Sequence, residues 1–128
     1  MAFLPPVLLL LLSGALARDL QPPQIVRDKA RIIELKTGSI NRFVLECVAI
    51  AEPAPTYYWY RNGEELRELE GVVRVEDAEH SQLDFSSPQE HQAGVYHCEA
   101  ENSVGRAKSS LSRVVLSPPV ELPGTSAP

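Results

Sequence analysis

Residues 94–105 read GVYHCEAENSVG, and the fold is decided in this stretch. Its side chains alternate, so that Tyr96 and Cys98 fall on one face of an extended strand while His97 and Glu99 fall on the other. Alternation with a period of two predicts a β-strand that has one buried face. The tyrosine and the cysteine are therefore expected to point into a core, and the other two side chains are expected to point outward.

Two earlier segments show the same alternation. Residues 41–50 place Cys47 on their apolar face, and residues 56–61 form a dense aromatic strand that carries Trp59 inward. A cysteine, a tryptophan and a Tyr-x-Cys unit on three strands of matching parity resemble the pattern of immunoglobulin domains. The resemblance implies two packed sheets with the cysteines on opposite sides of the core and the indole of Trp59 packed against the bridge between them.

The rest of the chain predicts further short strands separated by turns. Asn62 and Gly63 directly follow the aromatic strand and are the strongest hairpin signal in the sequence. Turn residues recur about every 8–12 positions and no long helical pattern is present, which predicts an all-β sandwich or barrel. The expected strands are 25–26, 31–35, 41–50, 56–61, a short edge strand around Leu66, 72–75, 82–85 with Leu83 inward, 95–100 and 107–116.

The two ends of the chain predict processing and linkage. Residues 1–17 hold no charged side chain, contain a run of leucines and end in small residues, which is typical of a secretory signal peptide cleaved after Ala17. Residues 18–23 are expected to form an extended leader, and residues 24–116 are expected to form the domain. Residues 117–128 contain four prolines and predict a linker or tail.

Membrane attachment is not expected from this sequence. The leucine run is too short for a bilayer, which needs about 20 apolar residues, and no apolar segment follows the domain. We expect either a secreted single domain or the first domain of a longer protein. The second is favoured because the sequence ends without a structural stop, and a stop codon directly after Pro128 would exclude it.

Cys47 and Cys98 are the two cysteines of the chain. Two cysteines so far apart do not make a zinc site by themselves, and a redox pair would normally lie close in sequence. A signal peptide implies an oxidising compartment, where a structural disulfide is the expected state.

The segments at 94–105 and 59–63 resemble the intermediate set (I-set) of immunoglobulin domains, over roughly residues 22–116. The resemblance implies an all-β, immunoglobulin-like (I-set) two-sheet antiparallel sandwich that works as an extracellular protein-binding module. Within the set, residues 22–26 and 43–47 and the two prolines before residue 56 are most similar to the first domain of neuroglian- and neurofascin-like neural adhesion molecules, which implies roles in adhesion and axon guidance. The core signature is Trp59, Leu83, Gly94 and Tyr96.

One position departs from the family pattern. Gln92 stands where the family usually has an aspartate, two residues before the glycine of Gly-x-Tyr-x-Cys. In the family that carboxylate pairs with an arginine, for which Arg74 is the counterpart here. An amide accepts only a neutral hydrogen bond, which is weaker than a charge-assisted one, so the usual corner ion pair is in doubt.

Composition argues against several classes of function. A formal net charge of −5 disfavours nucleic-acid binding. His80, His91 and His97 show no metal-ligand spacing and are expected to be solvated surface residues. No motif suggests a catalytic triad or a cofactor site, so we expect neither an enzyme nor a cofactor.

One surface is a candidate for recognition. Parity places Tyr58, Tyr60, His97 and Glu99 on the outward side of two neighbouring strands, and exposed tyrosines often anchor interfaces. The alternative is ordinary surface, partly covered by the next strand or by the tail. The leading hypothesis is a cell-adhesion or recognition module with a homophilic or heterophilic protein partner, and the second is a secreted soluble immune or ligand-trapping protein. Bead aggregation would support the first, whereas binding to microbial surfaces without aggregation would favour the second.

Overall fold

The computed structural model describes residues 19–36 and 42–117, and these ranges form a two-sheet β-sandwich. The predicted signal peptide, with its cleavage after Ala17, lies outside the described residues. So do residues 118–128, which make up nearly all of the predicted tail.

The first sheet is antiparallel throughout. It contains, in spatial order, β1 (Gln21–Val26), β3 (Phe43–Glu52), β7 (His80–Phe85) and β6 (Val72–Glu76). Alternation along β3 buries Leu45, Cys47 and Ala49 on its inner side, as the sequence pattern predicts.

The second sheet is mixed. It contains, in spatial order, β2 (Arg31–Lys36), β10 (Ser112–Ser117), β8 (Gly94–Asn102), β4 (Thr56–Arg61) and β5 (Glu64–Glu65), while β9 (Gly105–Lys108) pairs with the later half of β8. Strands β2 and β10 run parallel, whereas every other strand pair of the described residues is antiparallel, and the predicted all-β two-sheet sandwich is confirmed. The chain changes sheets between β1 and β2, and it enters the second sheet in the direction of β10.

The first strand begins earlier than the sequence pattern predicts. Pro22 and Pro23, assigned to the leader, lie within β1, so the fold begins three residues before the expected domain start at residue 24. Proline lacks a backbone N–H and is tolerated on an edge strand, which β1 is, and the register also shifts between Gln21 and Gln24.

The expected final strand, 107–116, is broken into β9 and β10. Between them the backbone is held by side chains, because the Cys98 N–H donates to Ser109 Oγ at 2.9 Å and the Ser110 N–H donates to Asp28 Oδ1 at 2.8 Å. The prediction of one continuous strand is wrong because side-chain oxygens accept the Cys98 and Ser110 N–H groups between β9 and β10, although the Ser109 N–H still donates to the Cys98 carbonyl at 2.9 Å.

The hairpin between β4 and β5 follows its sequence signal. Asn62 and Gly63 have φ values of 52° and 82°, the left-handed backbone that a two-residue hairpin turn requires. The short strand after the turn is Glu64–Glu65, one step before the expected position around Leu66. The Leu66 N–H still donates to the Trp59 carbonyl at 2.8 Å, which keeps the segment against β4.

The core is built around a disulfide between Cys47 and Cys98, which joins the two sheets. Trp59, the cross-strand neighbour of Cys98, is 3% exposed, and its Nε1–H donates to Ser81 Oγ at 2.9 Å. Leu83 is also buried. A buried indole N–H is costly without an acceptor, so Ser81 satisfies the one polar group that Trp59 carries into the core.

Tyr96 closes the corner before β8. Its ring is fully buried with an edge against Phe85, and its hydroxyl donates to the carbonyl of Gln92. Burial raises the pKa of Tyr96 to about 12. Gly94, with φ at +155°, leaves room for the facing strand end, since a Cβ there would lie 3.1 Å from Arg61 Nε and from Asn62 Oδ1.

The corner ion pair of the family is replaced. Gln92 is fully buried, its Nε2 donates to the Glu70 carbonyl at 3.1 Å, and its Oε1 accepts from the Gln89 N–H at 3.0 Å. Arg74 instead donates to the Tyr57 carbonyl at 2.6 Å. The doubt about the family's corner ion pair agrees with these contacts, because the neutral amide bonds backbone groups and Arg74 bonds the Tyr57 carbonyl and Glu76.

Candidate functional site

The candidate surface lies on the outer side of β4, β8 and β9. The register places Tyr58 opposite Glu99 and Tyr60 opposite His97, so these four predicted residues share one side of the sheet. Arg106 joins them from β9. We call this group of five side chains the tyrosine face.

His97 lies on the outward side of β8, as parity predicts, yet it is only 7% exposed. The ring of Tyr60 stacks on the imidazole of His97, with the two centroids 4.7 Å apart and the two planes nearly parallel. The Nε2–H of His97 donates to Glu99 Oε2 at 2.8 Å. The expectation of a solvated histidine is wrong because the ring of Tyr60 covers it.

Arg106 is the residue of the candidate surface that sequence reasoning missed. Its guanidinium donates to Glu99 Oε1 at 2.7 Å, to Glu101 Oε2 at 2.9 Å and to the Tyr60 hydroxyl at 2.6 Å. Its carbon Cζ also lies 4.7 Å from the centroid of the Tyr58 ring, within the range of a cation–π contact. One side chain thus joins both tyrosines and both glutamates of this surface.

The signal for Arg106 was present in the turn after β8. Asn102 pairs with Gly105 across a two-residue loop, which places Arg106 opposite Glu101 and Lys108 opposite Glu99. Asn102 Oδ1 accepts the N–H groups of Val104 and Gly105 at 3.0 and 3.1 Å, so the side chain shapes this turn. Assigning the hairpin register from Asn102 would have identified the arginine.

The charges of the face stabilise one another. Burial acts to raise the pKa of Glu99, but hydrogen bonds from His97 and Arg106 together outweigh it and lower that pKa. The two glutamates in turn raise the pKa of Arg106. Glu99 is therefore a carboxylate at neutral pH, and because its folded pKa is depressed, its stabilising effect is lost only as pH falls through that lower value.

This arrangement predicts the titration of Glu99. A ¹³C NMR titration should place its midpoint below about 4.3, the ordinary value for glutamate. In Arg106→Gln the midpoint of Glu99 should rise, because the hydrogen bond from His97 is then the only one of the two left to oppose the effect of burial on the Glu99 pKa. Glu101→Gln is the matched control, since it leaves both donors to Glu99 in place and should keep the low midpoint. A wild-type midpoint at or above the ordinary value would show that burial dominates the site.

Metal ligation and membrane crossing find no support in residues 19–36 and 42–117. There, no three histidine, cysteine, aspartate or glutamate side chains converge in a way that could hold a metal ion. Within the same ranges no helix has the length and apolar character that crossing a membrane requires.

Comparisons with known proteins point to one family. Residues 22–102 match the family model described as an immunoglobulin domain. The chain is 32% identical over 100 residues to Hemicentin-2 of Mus musculus, covering 78% of this chain and 2% of that protein. It is 38% identical over 83 residues to Contactin-5 of Danio rerio, covering 65% of this chain and 7% of that protein. The chain thus spans a small fraction of the curated relatives it matches.

Solved structures agree with the fold. A chain from a mutant complex of titin M10 with the obscurin-like 1 immunoglobulin domain superimposes with a TM-score of 0.68 at 26% identity, over 80% of this chain and 100% of that one. The titin Z1Z2 domains, solved in complex with telethonin, share the fold with a TM-score of 0.69 at 22% identity, over 80% of this chain and 50% of that one. The two-sheet architecture, the inter-sheet disulfide and the family match agree: the chain belongs to the immunoglobulin domain family.

Proposed function

We propose that this chain is an extracellular I-set recognition module of the cell-adhesion type, which binds a protein partner through the tyrosine face. The observation that carries the proposal is the fourfold fixation of Arg106 by Glu99, Glu101, Tyr60 and Tyr58. Immunoglobulin domains are protein-interaction modules, and this surface has the composition that binding sites on proteins use, because tyrosine and arginine are enriched among hot-spot residues.

The tyrosine face is organised before any partner arrives. Tyr60 is held between His97 and Arg106, while Tyr58 is covered on one side by the guanidinium. Side chains that are already ordered lose little conformational entropy on association, so more of the contact energy remains as affinity. Both rings are half-buried, which leaves part of each ring accessible to a partner.

An extracellular location is supported by two independent features. The Cys47–Cys98 disulfide belongs to an oxidising compartment, and the first 17 residues have the pattern of a secretory signal peptide. The similarity of residues 22–26 and 43–47 to neuroglian- and neurofascin-like molecules supports the neural adhesion role, including axon guidance, that we include in the proposal. The mutual engagement of His97, Glu99 and Arg106 suits a rigid binding surface rather than a catalytic one.

Replacing Tyr58 tests the tyrosine face. Tyr58→Ala should weaken binding by roughly 2 kcal/mol or about 30-fold, because it removes the ring under Arg106 without uncovering His97, which lies below Tyr60. Capture by neural cells of beads coated with the secreted chain provides the readout. Tyr58→Phe should bind nearly as well as the wild type, since the ring and its cation–π contact remain.

Ile50→Ala is the matched control for this experiment. Ile50 is exposed on the outer side of the first sheet and should not affect binding. Wild-type binding by Tyr58→Ala, or an equal loss in Ile50→Ala, would refute the assignment to the tyrosine face. Binding to microbial surfaces without bead aggregation or cell capture would favour a soluble immune or ligand-trapping protein instead.

A further inference from the structure

Strand β6 is an edge strand of the first sheet, and two backbone hydrogen bonds show which of its residues bond β7. The Asp77 N–H donates to the His80 carbonyl at 2.9 Å, in the same register that pairs Val75 with Gln82. The Val72 N–H donates to the carbonyl of Leu69 at 3.0 Å, on the side away from β7. Backbone groups alternate in direction along an antiparallel strand. Odd-numbered residues of β6 therefore bond β7, and even-numbered residues present their N–H and C=O groups to the open edge.

No described strand pairs with that open edge. Among residues 19–36 and 42–117, the groups of this edge without a strand partner belong to Arg74 and Glu76, whereas the Val72 N–H is already donated to the Leu69 carbonyl. A strand edge with unpaired N–H and C=O groups is a template for pairing with another chain unless charge, proline or cover protects it.

The side chains of β6 divide into two faces. Arg74 lies opposite the buried Leu83 and so occupies the inner side, where its Nη2 lies 2.9 Å from Glu76 Oε1. Val73 and Val75 occupy the outer side and are 60% and 46% exposed. The strand thus carries two exposed valines on its outer face and Arg74 followed by Glu76 on its inner face. The N–H and C=O groups of Arg74 and Glu76 point to the open edge.

We propose that β6 pairs antiparallel with β6 of a second copy of this chain, with Val75 opposite the partner's Val75. In this register Arg74 lies opposite the partner's Glu76, and Glu76 lies opposite the partner's Arg74. Each of these two pairs exchanges two N–H···O bonds through the backbone groups that face the open edge. The interface lies on the first sheet and shares no residue with the tyrosine face, so it is a second site beyond the proposed function.

Charge selects this register over its neighbours. A shift in one direction places Arg74 opposite the partner's Arg74 and also requires the Val72 N–H, which Leu69 already accepts. A shift in the other direction places Glu76 opposite the partner's Glu76. Like charges directly opposite each other destabilise a strand pair and opposite charges stabilise it, so the Arg74–Glu76 register is favoured.

Lysine substitutions at Val73 and at Val75, both on the outer face of β6, should have different effects on dimerisation only in this register. Val75→Lys places two ammonium groups opposite each other at the two-fold axis, and it should raise the dimer dissociation constant by about fivefold. Val73→Lys is the matched control, because residue 73 lies opposite the partner's Asp77 and the variant should dimerise as well as the wild type or better. Both side chains are exposed, so neither change should affect folding. Sedimentation equilibrium of the full secreted chain measures the dissociation constants.

Two further measurements complete the test. Mixing Val75→Lys with Val75→Glu should restore a heterodimer through an opposite-charge pair at the axis. Hydrogen exchange should show concentration-dependent protection of the Arg74 and Glu76 amides, while the Val73 and Val75 amides are protected at every concentration by β7. A wild-type chain that stays monomeric at millimolar concentration, equal effects of the two lysines, or loss of the dimer in Tyr58→Ala would overturn the proposal.

Discussion

Replacing both Cys47 and Cys98 with alanine is expected to lower the free energy of unfolding by about 4 kcal/mol. The bridge closes a loop with a sequence separation of 51 residues, and its loss restores the conformational entropy of that loop to the unfolded chain. Both sulfur atoms are also buried, so the substitution removes core contacts in addition. Because a domain of this size is stable by only about 5–15 kcal/mol, the variant should be close to the limit of folding.

Chemical denaturation followed by circular dichroism measures this loss. The control is the reductant itself, which should lower the midpoint of the wild type toward that of the double variant and leave the double variant unchanged. A double variant within about 1 kcal/mol of the wild type would mean that the bridge contributes far less than the chain-entropy argument requires.

Trp59→Ala is expected to cost about 3–5 kcal/mol, because a large buried side chain is lost and the surrounding core cannot fully collapse into the space. The indole lies beside Cys98 on the neighbouring strand, and its Nε1–H donates to Ser81 Oγ. The change therefore also leaves a buried hydroxyl without its donor. The single tryptophan of the chain provides the wild-type signal, which should be that of a buried indole and should change on unfolding.

Ser81→Ala separates the hydrogen bond from the packing. This control keeps the indole in place but removes its acceptor, so it should cost about 1–3 kcal/mol, the penalty of an unsatisfied buried N–H. If Ser81→Ala and Trp59→Ala cost the same, the ring would contribute nothing beyond its hydrogen bond. Wild-type fluorescence typical of a water-exposed indole would contradict the buried position directly.

The two proposed surfaces would act together without competing. The β6 edge belongs to the first sheet and the tyrosine face to the second, so a β6 dimer would present two tyrosine faces. Two linked binding sites raise the apparent affinity for a clustered partner without any new contact. A variant such as Val75→Lys should then weaken capture by cells that display the partner densely more than it weakens binding to an isolated partner.

The inward residues were predictable because strand parity is a local property. Cys47, Trp59, Tyr96 and Cys98 each alternate with outward neighbours within a few positions, and the structure buries all four. The turn at Asn62 was equally local, since its left-handed backbone is a preference of the residue itself. These features follow from the chemistry of adjacent residues and require no knowledge of distant ones.

Strand pairing between distant segments was less accessible to sequence reasoning. The parallel contact of β2 with β10 joins strands at opposite ends of the domain, and the break at Ser109 depends on how Asp28 meets the end of β9. The bonds of Gln92 likewise depend on where the backbone of Glu70 lies. Secondary-structure propensity gives no information on these contacts between distant segments, because they depend on which segments pack together in the fold.

The amino-acid pattern was enough to predict the alternation of faces, the bridging cysteines and the buried Trp59 and Tyr96. It also predicted the side of the sheet that carries Tyr58, Tyr60, His97 and Glu99. Three features follow only from the packing of distant strands: Tyr60 covers His97, Arg106 reaches both tyrosines, and the even-numbered residues of β6 face an open edge. The direction of a side chain is set by its own backbone, whereas its burial and its partners are set by strands that the chain brings together across the fold.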